Sequence, residues 1–170
     1  MPSESYLKPV FPAGAPSAYV VRTAGAHDAV AIQSLLAGFG REGLLLSRTL
    51  DEIYSHLTDF EVVEGPNGLL GCGSLRIYGP ELAEIRSLAV SKEFQGRGLG
   101  RRLVASLLAQ AGRLEIKRVF ALTFQRDFFR KVGFEPIEKE HLPQKIWYDC
   151  VGCPHFPDCR EEAFITVQND

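Results

Sequence analysis

The sequence predicts an α/β (α+β) domain built on one mixed sheet with helices on both faces. Three observations lead there: short apolar runs bounded by turn residues, stretches with apolar residues at 3.6-residue spacing, and a β-α-α-β-β-β-α-β-α-β-β order of those segments. The chain has 170 residues, which suits one domain with a real core. Apolar content of 45% and charged content of 24% are ordinary for a globular protein. A net charge of −2 gives no general pull toward nucleic acid or anionic membrane, so neither is expected as a partner. No apolar run reaches the ~18 residues of a membrane-spanning helix. Residues 1–18, with Pro2, Pro9, Pro12 and Pro16, read as a flexible lead-in without the apolar centre of a signal peptide. A cytoplasmic location is expected, and residues 19–170 form a single domain with a Cys-containing segment at 141–160.

Tyr19 to Arg22 reads as the first strand. Asp28 is placed to cap a helix whose apolar stripe is Ala31, Ile32, Leu35, Leu36 and Phe39. Thr49 and Glu52 have capping-box spacing and open a second, shorter helix. Phe60 to Glu64 and Leu69 to Tyr78 form a hairpin about Gly65-Pro66-Asn67-Gly68. A further strand, Glu84 to Val90, leads into a glycine-rich loop. The helix beyond shows Leu99, Leu103, Val104, Leu107, Leu108 and Ala111 at helical spacing. Val119 to Leu122 is continuously apolar, as a strand buried on both faces would be. Asp127 to Val132 is a short helix ending at Gly133. Phe134 to Ile137 and, after a polar stretch, Ala163 to Val167 complete the sheet.

The loop Gln95-Gly96-Arg97-Gly98-Leu99-Gly100 stands between a strand and a helix. Glycine lets the backbone approach a ligand closely, and free N–H groups at a helix start favour a phosphate. Arg97, Arg101 and Arg102 sit at the positive end of the helix dipole, a conflict that a bound anion removes. A P-loop needs Lys after its last glycine, and the dinucleotide fingerprint needs glycine at 101; this chain has Arg101.

Ala83-Glu84-Ile85-Arg86-Ser87-Leu88-Ala89-Val90, followed by Phe94 and the glycine loop, resembles the acetyl-CoA signature Q/R-x-x-G-x-G/A of the GNAT acetyltransferases. Phe128-Phe129-Arg130-Lys131-Val132-Gly133-Phe134 resembles the second motif of that family. The resemblance implies a mixed, mostly antiparallel sheet with splayed central parallel strands, and acetyl-CoA as co-substrate. Leu88, Ala89 and Val90 would pair with pantetheine as an added strand. Gln95, Gly96, Arg97, Gly98, Leu99, Gly100 and Arg101 would cradle the pyrophosphate. Phe129 stands where many members carry a tyrosine that protonates the leaving thiolate, so it reads as a packing residue for the cofactor.

Acetyl transfer to an amine needs the neutral amine and a donor for the developing oxyanion. Glu84 is the candidate base, on the expectation that alternation puts it on one face with Arg86 and Leu88. A strand-end carboxylate paired with a cation is the other reading. The N–H of Leu88 or Ala89 is the candidate oxyanion donor.

Leu122-Thr123-Phe124 followed by Phe128-Phe129, Gly43-Leu44-Leu45-Leu46-Ser47-Arg48 and Leu142-Pro143-Gln144-Lys145 resemble the acetyltransferase domain of N-acetylglutamate synthases, in its short form without an amino-acid-kinase domain. That implies acetyl transfer to the α-amino group of L-glutamate, in arginine biosynthesis. Two carboxylates then call for cations, and Arg48, Arg86 and Lys145 are the candidates. The alternatives are a protein or peptide N-acetyltransferase, or a silent acetyl-CoA- or metal-binding regulatory module. Cys150, Cys153, His155 and Cys159 hold enough donors for a tetrahedral zinc site, with reduced packed thiols as the alternative. Whether the chain forms a homodimer is left open by the sequence.

Overall fold

A computed structural model of the protein describes residues 18–143 and 160–169. Among the described residues seven strands form one sheet: β1 (Val20–Thr23), β2 (Phe60–Gly65), β3 (Gly68–Ile77), β4 (Leu82–Val90), β5 (Arg118–Thr123), β6 (Glu135–Ile137) and β7 (Glu162–Val167), in the spatial order β1-β2-β3-β4-β5-β7-β6. Every neighbouring pair is antiparallel except β4 and β5. The mixed, mostly antiparallel sheet expected from the sequence is what forms. Helices α1 (Ala29–Arg41) and α2 (Leu50–Ser55) cover one face, where Ile32, Leu36 and Ile53 pack on Val62, Cys72 and Ala89. The other face carries α3 (Leu99–Arg113) and α4 (Arg126–Lys131), with Val104, Leu107 and Phe129 packed on Leu75, Ile85 and Val119. Among the described residues no helix is long and apolar enough to cross a membrane.

Local chemistry accounts for the start of α2 and the end of α4. Thr49 Oγ1 accepts from the Glu52 amide at 3.2 Å while the Thr49 amide donates to Glu52 Oε2 at 2.7 Å, a closed capping box. Gly133, at φ +94°, ends α4, and the Phe134 amide reaches back to the Phe129 carbonyl at 3.0 Å. Asp28 differs from expectation. Its side chain makes no cap bond to α1; it accepts instead from the Gly25 amide at 2.7 Å and from Arg22 Nη1 at 2.7 Å. The guanidinium lies on the neighbouring strand, so the carboxylate is drawn out of the capping position.

Two departures in β4 decide where the site lies. The strand begins at Leu82 rather than Glu84, and the two added residues carry two of the three pairs with β5: Leu82↔Arg118 and Ala83↔Val119, followed by Glu84↔Phe120. Past Glu84 the two strands separate into a V. Register with β3 also slips, from Cys72↔Ala89 to Ser74↔Arg86, so Ser87 and Leu88 together oppose Gly73. This is a β-bulge, and Ser87 sits in the left-handed region at φ +53°. It overturns the expected alternation: Ala83 and Ile85 face α3 before the bulge, and Leu88 faces it after. Leu88 is therefore on the face opposite Glu84 and Arg86.

Candidate functional site

The opening of the V is a cleft of about 460 Å³. One wall is β4 from Ile85 to Val90, and the other is Leu122 to Gln125 at the end of β5. Phe39 of α1 and Leu44 and Leu45 in the loop beyond it close one side, and Phe128 and Phe129 of α4 with Val132 at its C-terminal end close the other. Among the described residues no strand pairs with the β5-facing edge of β4 beyond Glu84. An extended ligand arm with its own amides can take a strand's place along that edge.

At the bulge the peptide groups turn. The Cys72 thiol donates to the Ser87 carbonyl at 3.4 Å, and the Ser74 hydroxyl donates to the Arg86 carbonyl at 3.2 Å. Both carbonyls thus point toward β3. In a trans peptide the N–H lies opposite the C=O, so the N–H groups of Ser87 and Leu88 turn toward the cleft. Two successive amides facing one way make a small anion-binding concavity.

The glycine loop closes the far end. Gly96 and Gly98 have φ of +76° and +79°, with open space where a side chain would begin, so they are glycine for backbone conformation. Gly98 is the N-cap of α3, and the first amides of that helix have no intrahelical acceptor. Gly100 is glycine for a different reason: a Cβ there would lie 3.2 Å from the Phe128 ring. Gln95 Nε2 donates to the Val90 carbonyl at 3.0 Å and ties the loop to the end of β4. The three arginines do not act alike. Arg101 lines the cleft and reaches the Lys131 carbonyl at 3.5 Å. Arg97 donates to the Tyr19 hydroxyl at 3.0 Å, and Arg102 to the Tyr19 carbonyl at 2.9 Å, so both brace the loop against the strand edge.

Glu84 sits at the vertex, the last residue of β4 paired to β5. It is buried to 8% exposure and accepts from the Tyr78 hydroxyl at 2.8 Å. Tyr78 carries no signal of this role in the sequence, because the contact crosses the Gly79-Pro80 turn. Arg86, on the Glu84 face, is half-buried and lines the cleft. Arg48 lines a separate shallow pocket with Gln33, Ser34 and Arg41, and not the cleft. Thr123, whose Oγ1 accepts from the Gln125 amide at 2.8 Å, and Phe124 and Phe128, which carry the sequence resemblance but were not expected as site residues, also line the cleft. Phe129 packs edge-on to both Phe128 and Phe134 at 5.2 Å, so it is core as well as cleft wall. Lys145, Cys150, Cys153, His155 and Cys159 lie outside the described residues. Among the described residues no cluster of possible metal ligands occurs.

Known proteins share this arrangement. The acetyltransferase (GNAT) domain family matches residues 56–136, from the end of α2 to β6. An uncharacterised N-acetyltransferase of Chlorobaculum tepidum is 41% identical over 86% of this chain and 95% of its own length. An amino-acid acetyltransferase of Mycobacterium tuberculosis is 38% identical over 82% of this chain and 84% of its own. Among solved structures, the N-acetylglutamate synthase of Neisseria gonorrhoeae, complexed with coenzyme A and N-acetyl-glutamate, superposes with a TM-score of 0.79 at 26% identity. The match covers 89% of this chain and 35% of that longer one. A Mycobacterium tuberculosis protein in complex with CoA gives 0.75 at 31% identity, over 88% of this chain and 99% of that one. With its splayed β4 and β5, bulged β4 and glycine-capped α3, the chain belongs to the GNAT family of N-acetyltransferases, enzymes that take their acetyl group from acetyl-CoA.

Proposed function

We propose that the protein acetylates the α-amino group of a free amino acid, with L-glutamate as the acceptor. The observation that carries this reading is the continuity of one strand edge: β4 runs from the glycine loop, past the bulge amides, to the carboxylate of Glu84. The pyrophosphate end of acetyl-CoA belongs at Gln95 to Arg101, the pantetheine along Leu88 to Val90, and the thioester beside the Ser87 and Leu88 amides. Glu84 accepts the proton of the attacking amine, directly or through a water. The new C–N bond forms as the C–S bond breaks, with the thioester oxygen held by the bulge amides. A thiol of ordinary pKa, about 8.5, leaves as the thiolate and takes a proton from solvent, which suits a cleft with Phe129 in place of a tyrosine.

Arg86 is assigned to an acceptor carboxylate because it lies on the Glu84 face of β4 and lines the cleft. Arg48 and Lys145 are the further cations proposed for the second carboxylate. The N-acetyl-glutamate bound by the Neisseria structural neighbour, and the naming of the Mycobacterium relative, support an amino-acid acceptor. The test is thiol release from acetyl-CoA against a panel of free amino acids, with lysine-rich peptides alongside. Turnover greatest with glutamate is expected. Turnover with peptides and none with glutamate refutes the assignment.

A further inference from the structure

Cys72 and Ser74 stand on either side of Gly73 and face the Glu84 side of the sheet. Each uses its side-chain hydrogen across the gap to β4, on two consecutive carbonyls. At this bulge Ser87 and Leu88 together oppose Gly73, so the Ser87 peptide falls outside the register that pairs Ser74 with Arg86 and Cys72 with Ala89. A buried carbonyl left unbonded is costly, and its peptide plane is free to rotate until it finds a partner. Rotation of the 87–88 peptide would swing the Leu88 N–H away from the cleft.

We propose that Cys72 and Ser74 are positioning residues for acetyl transfer: by holding the Ser87 and Arg86 carbonyls toward β3, they aim the Leu88 and Ser87 amides at the thioester oxygen. The inference rests on the reading of those amides as oxyanion donors. Three further observations agree with it. Ser87 is held at φ +53°, a conformation that persists only where surrounding bonds fix it. A Cβ on Gly73 would lie 3.0 Å from side-chain carbons of both Leu88 and Leu107, so β3 offers no side chain that could disturb the bulge from beneath. The Cys72 thiol is fully buried, and burial pushes its pKa up to about 12. It stays protonated at working pH, which makes it a donor and not a nucleophile.

The test compares Cys72→Val, which keeps the volume and removes the donor, with Cys72→Ser, which keeps a donor, and with Ser74→Ala. With acetyl-CoA and whichever amine the enzyme turns over, Cys72→Val and Ser74→Ala each lower kcat about tenfold, the scale of a slight misplacement of a catalytic group. KM for acetyl-CoA stays within about twofold, because the interaction lost is made in the transition state. Cys72→Ser recovers most of kcat. Independently of activity, the Ser87 and Leu88 amide signals in 1H–15N spectra move in Cys72→Val and remain in place in Cys72→Ser. Unmoved amide signals with wild-type kcat in Cys72→Val and Ser74→Ala overturn the proposal. So does equal loss of kcat in Cys72→Ser and Cys72→Val with a matching fall in melting temperature, which is the mark of packing alone. If Cys72→Val does not fold, Ser74→Ala carries the same measurements. Absence of turnover with every amine refutes the functional reading, while the amide signals still decide the positioning.

Discussion

Glu84 occupies the last position at which β4 is still paired to β5, so its backbone is fixed at the vertex of the V while its carboxylate is buried against the Tyr78 hydroxyl. Glu84→Gln is expected to lower kcat/KM most near neutral pH and less at high pH, where more of the amine is already neutral. A pH–rate profile parallel to the wild type would remove Glu84 as the base. Tyr78→Phe deletes the 2.8 Å bond to that carboxylate and should lower kcat severalfold while leaving acetyl-CoA affinity unchanged; titration of CoA checks the second half. Asp28 illustrates a different role for a buried carboxylate. The Arg22 guanidinium beside it holds its carboxyl below the usual range. Such a group stabilises the fold above its unfolded pKa of about 4, and that stability is lost as pH falls through the lowered folded value. Asp28→Asn should therefore cost about 2 kcal/mol at neutral pH and flatten the acid limb of the unfolding curve, measured by urea denaturation from pH 7 to pH 3. Asp28 read from its neighbours alone looks like a helix cap. Its real partner comes from six residues earlier across a turn, and a local rule has no access to that.

At the scale of elements, the glycine loop was readable in advance because its chemistry is local: each glycine answers to its own φ or its own nearest neighbour. Gly98→Ala forces a side chain into φ +79° at the start of α3, a strain of about 1–2 kcal/mol. The expected result is an acetyl-CoA KM raised about tenfold, since that strain is relieved by rotating the amides that face the pyrophosphate. An unchanged KM would show that those amides do not hold the phosphates. The capping box at Thr49 and Glu52 was equally legible, being two residues on one turn. The bulge was not. Strict alternation from Glu84 puts Leu88 beside it, and only the slip against Cys72 and Ser74 moves Leu88 to the other face. A register slip depends on which strand lies opposite, so no residue of β4 announces it. The start of β4 at Leu82 is hidden for the same reason, because Leu82 and Ala83 become strand through their partners on β3 and β5.

Across the molecule, the sheet consists of an N-terminal part, β1 to β4, and a C-terminal part, β5 to β7, joined in the sheet by three residue pairs. The apolar cluster around Leu107, Phe129 and Phe164 links the two parts under α3 and α4. A ligand lying in the V adds contacts to both. Coenzyme A at about a hundred times its Kd should stabilise the fold by about 2.7 kcal/mol. For a chain of this size that raises Tm by about 5–10 °C, readable by calorimetry. A rise cut to about half in Gly98→Ala at the same concentration, as a roughly tenfold weaker Kd requires, would place the binding at the loop. The order of elements along the chain was visible in the sequence, but their order in space was not, since apolar strands carry no mark of which neighbour they choose.

That spatial order has a consequence for how the protein is made. β7 follows β6 in the chain yet is inserted between β5 and β6, and among the described residues β6 pairs with β7 alone. During synthesis β1 to β4 and α3 can assemble as they emerge, whereas β5 keeps a bare edge and β6 has no place to dock until residues 162–167 have left the ribosome. The acetyl-CoA cleft, one wall of which is the end of β5, is thus among the last features to be completed. A nascent chain halted after β6 would expose the apolar edge of β5, and there a chaperone would find its substrate.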